Sequence, residues 1–183
     1  MLITISDLER EPLVFDVSLS SGEIDYGEEV KQVGPLGVAG RAELIEEHRG
    51  PREVVPDIRL RAKYQGKVEV ACARCLDAVE HSLKGDFDLI FRPLGIDQGA
   101  SERSINTDET EIGYYQKSGL VLEDVLREQV LLSLPARTLC RHDCKGLCPR
   151  CGQNLNSDVC TCDAAPVDPR WAALSDLGSR MKS

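Results

Sequence analysis

The sequence predicts an α+β fold: an antiparallel β-rich domain with one or two helices, followed by a C-terminal Cys-rich segment. Three observations carry that reading. Residues 13–93 hold a succession of stretches in which apolar and polar residues alternate, with short connections between them. Residues 118–135 hold one long stretch of helical periodicity. Six of the eight cysteines fall in 140-CRHDCKGLCPRCGQNLNSDVCTC-162, and the other two lie upstream in 71-ACARCLD-77. The expected division is a domain over 1–135, closed by a helix at 119–134, and a tail over 136–183 with a short terminal helix.

The elements follow in chain order. In 13-LVFDVSL-19, Leu13, Phe15, Val17 and Leu19 share one face. The stretch 36-LGVAGRAELIEE-47 is a looser strand, with Val38, Ala42 and Leu44 inward. In 57-DIRLRAKYQGKVEVAC-72, Ile58, Leu60, Ala62 and Tyr64 alternate with Arg59, Arg61 and Lys63. Gln65-Gly66 then reads as a hairpin turn, after which Val68, Val70 and Cys72 resume the alternation. The pattern continues through Phe87, Leu89 and Phe91 in 79–93. Residues 95–110 are polar and Gly/Ser-rich and read as a mobile loop. A helix over 118–135 puts Val121, Leu122, Val125, Leu126 and Leu132 on one side, and Pro135 ends it. Asp168-Pro169 offers an N-cap and a first-turn proline to a last short helix carrying Trp171, Leu174 and Leu177.

Composition narrows the function classes. Aromatic residues are 4% of the chain, too few for a base-stacking platform. The N-terminus lacks the basic and apolar regions of a secretion signal, and no apolar run reaches membrane-spanning length. The expected location is therefore cytoplasmic, where thiols stay reduced, and the expected partners include no membrane. Eight cysteines in that setting point to metal or redox chemistry rather than to disulfides. No P-loop, GxGxxG or GxSxG is present, so no small-molecule substrate is expected.

The cysteine spacing suits metal. Zinc takes four ligands at tetrahedral corners, and two cysteines separated by two residues can share one ion without backbone strain. Cys148-Pro-Arg-Cys151-Gly152 fits this, and Cys160-x-Cys162 follows close behind. The eight thiols divide into a local set, Cys148/Cys151/Cys160/Cys162, and a long-range set, Cys72/Cys75/Cys140/Cys144. Two zinc ions are the expected cofactors, with iron–sulfur ligation as the rival. A rival pairing joins Cys140/Cys144/Cys148/Cys151 and leaves Cys160 and Cys162 to the upstream pair. His142 is a candidate substitute ligand, while His48 and His81 have no clustered partner. No catalytic residue is expected: all-cysteine sites are closed, and no HExxH or HxE accompanies them. A redox dithiol at Cys148/Cys151 would sit at the start of a helix, and no helical pattern follows it.

The residues 72-CARCLD-77, 132-LSLP-135, 140-CRHDCKGLCPRCGQNLNSDVCTC-162 and 168-DPRWAAL-174 resemble the YceD family, the large ribosomal RNA subunit accumulation proteins. The likeness runs from about Val68 to Leu177 and is most specific in CKGLCPxCGxNLN and CxRCL. It implies a bacterial, cytoplasmic, non-enzymatic factor needed for normal accumulation of large-subunit rRNA. It also implies that Cys72, Cys75, Cys140, Cys144, Cys148, Cys151, Cys160 and Cys162 belong to the family motif. Members of the family differ in how much of the second set they keep, which agrees with two separable metal sites. The implied partner is a large-subunit ribosomal precursor.

Charge bears on how that precursor would be met. The net charge is −9, but residues 48–75 carry 7 basic and 3 acidic groups while residues 1–47 carry 3 and 11. Non-specific RNA affinity comes mainly from Lys and Arg neutralising phosphates. Arg59, Arg61 and Lys63 are therefore the RNA-contact candidates, and contact of the acidic segments with a basic ribosomal protein is the competing expectation. Two other classes are open alternatives: a zinc-stabilised protein-interaction or transcription-related module, and a CxxC thiol oxidoreductase.

Overall fold

The alternating stretches assemble into one sheet whose register sorts their side chains to two faces. The computed structural model describes residues 1–48, 54–96, 112–116 and 119–162. β1 (Leu2–Ile3) leads into a one-turn helix, α1 (Ile5–Leu8). Then come β2 (Leu13–Leu19), β3 (Val30–Gln32), β4 (Leu36–His48), β5 (Val54–Ala71) and β6 (Ala78–Pro93). β7 (Ile112–Tyr115), β8 (Leu120–Val121) and α2 (Leu122–Ser133) complete the regular elements among the described residues. The main sheet runs β2-β4-β5-β6-β7, with β3 paired to the far end of β5, and β1 pairs β8 in a small separate sheet.

One strand expectation needs correction. Gln65-Gly66 is not a turn, because β5 runs unbroken through it. Gly66 is there because Leu36 crosses close above it: a Cβ at Gly66 would lie 2.9 Å from Leu36 Cδ1. The real hairpin turn is residues 72–77, between β5 and β6. The sheet is antiparallel as expected except at its edge, where β7 pairs parallel to β6. The long connection after β6 lets the chain return in the same direction, which a tight hairpin cannot do. Most of the segment expected to be a mobile loop, from residue 97 on, lies outside the described residues, as does the terminal helix expected after Asp168.

One sheet face is the core. Phe15, Val38, Leu60, Tyr64, Val68 and Phe87 are all buried there. α2 closes over them with Leu122, Val125, Leu126 and Val130, and the Tyr64 hydroxyl donates to the Gln129 carbonyl at 3.3 Å. The helix starts later than expected, because Leu120 and Val121 pair with Ile3 and Leu2 as β8. Its buried stripe also differs: Leu132 is 71% exposed and Val121 faces outward, while Val130 fills the inner position. Leu134, before Pro135, takes an extended conformation, so the helix ends there as expected.

The opposite face is charged. Cross-strand partners bring Arg59 to Asp88 (Nε to Oδ1, 2.8 Å) and Arg61 to Glu43 (2.6 Å). At the end of β6, Arg92 is buried with its guanidinium forked onto the carboxylate of Asp57, at 2.9 and 3.2 Å, and a further contact to Glu47. This buried ion pair locks β4, β5 and β6 where β4 ends, and leaving either partner alone would strand a buried charge.

Candidate metal centres

Each CxxC folds into the same knuckle. In the first, the Cys72 N–H donates to the Asp77 carbonyl (2.8 Å) and the Leu76 N–H to the Cys72 carbonyl (3.0 Å). In the second, the Cys148 N–H donates to the Gln153 carbonyl (2.8 Å) and the Gly152 N–H to the Cys148 carbonyl (2.9 Å). The residue after the second cysteine must take a left-handed backbone in both: Gly152 has φ 74° and Leu76 has φ 63°. The knuckle turns its amides onto the first sulfur. Cys72 receives the amides of Cys75, Arg74 and Cys140, and its pKa falls to about 6. The amides of Cys151 and Arg150 take Cys148 to about 6 in the same way.

The first cluster brings Cys72, Cys75, Cys140 and Cys144 together, with all four sulfurs within 4.8 Å of one another. Cys75 and Cys140 sulfurs are 3.5 Å apart, and those of Cys72 and Cys144 are 3.9 Å apart. Four thiolates bound at ~2.3 Å around a tetrahedral ion would stand about 3.8 Å apart. The second cluster joins Cys148, Cys151, Cys160 and Cys162, also within 4.8 Å, with sulfur separations of 3.3 Å (Cys148–Cys160) and 3.6 Å (Cys151–Cys160). The expected division into two sets of four is the one present, and the rival pairing is not. Both sets could hold a metal ion. His142 is exposed and belongs to neither set.

The thiols of Cys75, Cys140 and Cys162 resist ionisation. Burial raises Cys75 well above the usual thiol range, and hydrogen bonds to Cys160 and Cys151 push Cys162 up to about 12. Each cluster thus combines sulfurs whose ionisation is favoured, Cys72 and Cys144 in the first and Cys148 in the second, with sulfurs that stay protonated, and a bound cation would displace those protons.

The tail is tied to the first knuckle by more than sulfur. The Ala73 N–H donates to the Thr138 carbonyl (2.8 Å), the Leu147 N–H to the Arg74 carbonyl (3.1 Å), and Arg74 Nη1 to the Cys144 carbonyl (2.7 Å). Asn154 Nδ2 reaches both Asp77 carboxylate oxygens at 3.1 Å. Asn156 donates to Cys144 Sγ (3.3 Å) and accepts from the Lys145 N–H (2.8 Å). That donation lowers the Cys144 pKa, against the opposing effect of burial. Neither Asn154 nor Asn156 is singled out from the sequence as a group that orients a ligand. The CGxNLN pattern was the available signal, since two asparagines at fixed offsets from a knuckle are suited to orienting ligands.

A family model described as "Large ribosomal RNA subunit accumulation protein YceD" matches residues 60–178. The chain belongs to the YceD family. An uncharacterised protein of Mycobacterium tuberculosis is 34% identical over 106 residues, covering 58% of this chain and 48% of the relative. One from Mycobacterium leprae is 30% identical over 109 residues, covering 58% and 46%. A chloroplastic protein of Arabidopsis thaliana, named as a homologue of the large ribosomal RNA subunit accumulation protein YceD, is 24% identical over 146 residues, covering 68% and 46%. The chain spans about half the length of these curated relatives. No solved structure matches it. The match to YceD includes all eight cysteines and both asparagines. It also covers α2, whereas β2, β3 and β4 precede it.

The RNA-contact candidates stand apart from both clusters, on the charged sheet face. Arg59 and Arg61 are engaged by Asp88 and Glu43, while Lys63 is exposed opposite Asp86. No helix among the described residues is long and apolar enough to cross a membrane.

Proposed function

We propose that this chain is a non-enzymatic factor that supports accumulation of large-subunit rRNA, with two structural zinc ions fixing its tail to its sheet. The observation that carries the reading is the pair of four-cysteine clusters, each closed by sulfurs at tetrahedral spacing, within a span matched by the YceD family. A closed thiolate set suits zinc as a structural ion, since a catalytic zinc keeps one position for water or substrate. The knuckle amides and the tetrahedral spacing favour zinc over an iron–sulfur cluster, whose bridging sulfides hold the cysteines farther apart.

The thiolate character of Cys72 and Cys148 does not favour an oxidoreductase. Both are buried, so neither presents an attacking sulfur to a partner disulfide. The working role is in the cytoplasm, on a large-subunit precursor. Of the two contact modes, a basic ribosomal protein is the better supported. Arg59 and Arg61 already face carboxylates, and two zinc-loaded thiolate sets would take the formal charge from −9 to about −13.

The test is a depletion strain complemented with the wild-type chain or with Cys72→Ser/Cys75→Ser. Wild type should restore the ratio of large- to small-subunit rRNA, and the double variant should not. An unchanged ratio on depletion sinks the reading. Charge reversal of Arg59, Arg61 and Lys63 should leave co-sedimentation with large-subunit precursors intact, and its loss would bring direct RNA contact back. Rapid labelling of one CxxC in the zinc-loaded protein would revive the redox alternative.

A further inference from the structure

We propose that the groove beside the first knuckle docks a basic segment of a partner protein, with an apolar side chain of that segment packed on Leu76. The groove has a volume of about 800 Å³ and lies where the end of β5, the knuckle and the residues after α2 meet. Leu76, Leu131 and Leu134 supply its apolar wall. Leu76 is 65% exposed, an unusual state for a leucine in a left-handed backbone conformation. The matching position of the second knuckle is Gly152, for which that conformation is free of strain. A leucine there gains nothing for the turn and presents an apolar side chain to solvent at the groove.

Charge selects the occupant. Glu28, Glu29 and Glu69 line the same groove. Lys31 also lines it but stands opposite Glu69 in the β3–β5 register, and Arg137 is the other cation present. Glu28 and Glu29 are exposed and have no ion pair among the described residues. The five charged residues of the lining sum to −1, and an apolar wall beside two glutamates outside any described ion pair fits a Lys- or Arg-rich peptide with one apolar anchor better than a phosphate backbone. The inference rests on the function proposed above only in drawing that partner from the large subunit.

The test places a photoreactive residue at position 131 of the full, zinc-loaded chain. The probes are acid-extracted large-subunit proteins and, separately, protein-free large-subunit rRNA. The expected product is a crosslink to a basic polypeptide, reduced at least fivefold by Glu28→Gln/Glu29→Gln and by Leu76→Gly. Leu76→Gly should keep the melting temperature within a few degrees of wild type, so a lost crosslink reports contact and not unfolding. A crosslink to rRNA, a crosslink to a second copy of this chain, no crosslink, or a yield that neither variant changes would each overturn the groove. Co-sedimentation with large-subunit precursors is scored in parallel. If it persists while the crosslink fails, the groove alone is wrong; if both fail, the proposed function falls with it.

Discussion

The two clusters use the same knuckle but are embedded differently. The first gathers ligands across the 64 residues between Cys75 and Cys140, and three of its four cysteines are buried. The second takes all its ligands from residues 148–162, and Cys151 and Cys162 are exposed. Equal ligand chemistry therefore does unequal work. With an ion bound, the first cluster would close a long loop and hold the tail against the β5–β6 hairpin, whereas the second would shape its own short segment. Closing the 64 residues between Cys75 and Cys140 restricts the unfolded chain by roughly 2 kcal/mol more than closing the 8 between Cys151 and Cys160.

The largest contrast should appear when one ligand is removed from each. A structural zinc supplies on the order of 10–16 kcal/mol of apparent binding energy at neutral pH, comparable to or above a domain's net stability. Cys75→Ser should lose one zinc equivalent and release the tail, so limited proteolysis cuts after α2. Cys162→Ser should also lose one equivalent, yet leave residues 136–148 protected. Metal analysis with proteolytic mapping reads both. Equal protection in the two variants would erase the distinction between clip and local site.

Metal release should rank the sites in the same order. Exposed sulfurs admit a chelator, and buried ones wait for the tail to open. Chelator added to the zinc-loaded protein should draw out one equivalent at least ~10 times faster than the other, since opening a buried site adds at least about 1.4 kcal/mol to the barrier. Thiol labelling should place the fast equivalent at Cys151, Cys160 and Cys162. A single release phase for both equivalents would mean the clusters open as one unit.

Asn156 cuts across the comparison, because it belongs to the second cluster's segment yet donates to a sulfur of the first. Groups that orient metal ligands typically contribute 10–100-fold to affinity. Asn156→Ala should therefore weaken the first cluster by about that factor and leave the second within ~2-fold. Competition titration with a zinc chelator measures both. A loss confined to the second cluster would show that the hydrogen bond to Cys144 is incidental.

The same contrast explains what was legible in the sequence. The cysteine pairs themselves were readable because CxxC and CxC spacings are local, whereas the gathering of Cys140 and Cys144 with Cys72 and Cys75 depends on a contact across 64 residues and stayed open between two pairings. The inward residues of β2, β4 and β5 were readable because alternation has period 2 whatever the partner strand. The turn was misplaced because Gly66 looks like a turn residue, while its reason is Leu36, thirty positions earlier in the chain. The buried Arg92–Asp57 pair and the carboxylates facing Arg59 and Arg61 depend on register, which no single stretch encodes. Leu132 was placed inward because it is apolar, yet Val130, one turn after Leu126, is the residue that continues the buried stripe.

The smallest effect tests whether the two knuckles are the same device. A Cβ at Gly152 would meet nothing within 4 Å, so substitution there is resisted by the backbone alone. A side chain in the left-handed region costs roughly 1–2 kcal/mol. Gly152→Ala should lower stability by about 1 kcal/mol, or roughly 2–4 °C for a chain of this size. Leu76→Gly runs the other way. It relieves that cost, gives back ~0.5–1 kcal/mol in unfolded-chain entropy, and removes a side chain that is mostly in water. The sum should be close to zero. Thermal melts of the zinc-loaded variants decide it. If Leu76→Gly instead costs more than about 2 kcal/mol, within the range for truncating a packed leucine, then Leu76 is packed into the fold and does not wait for a partner.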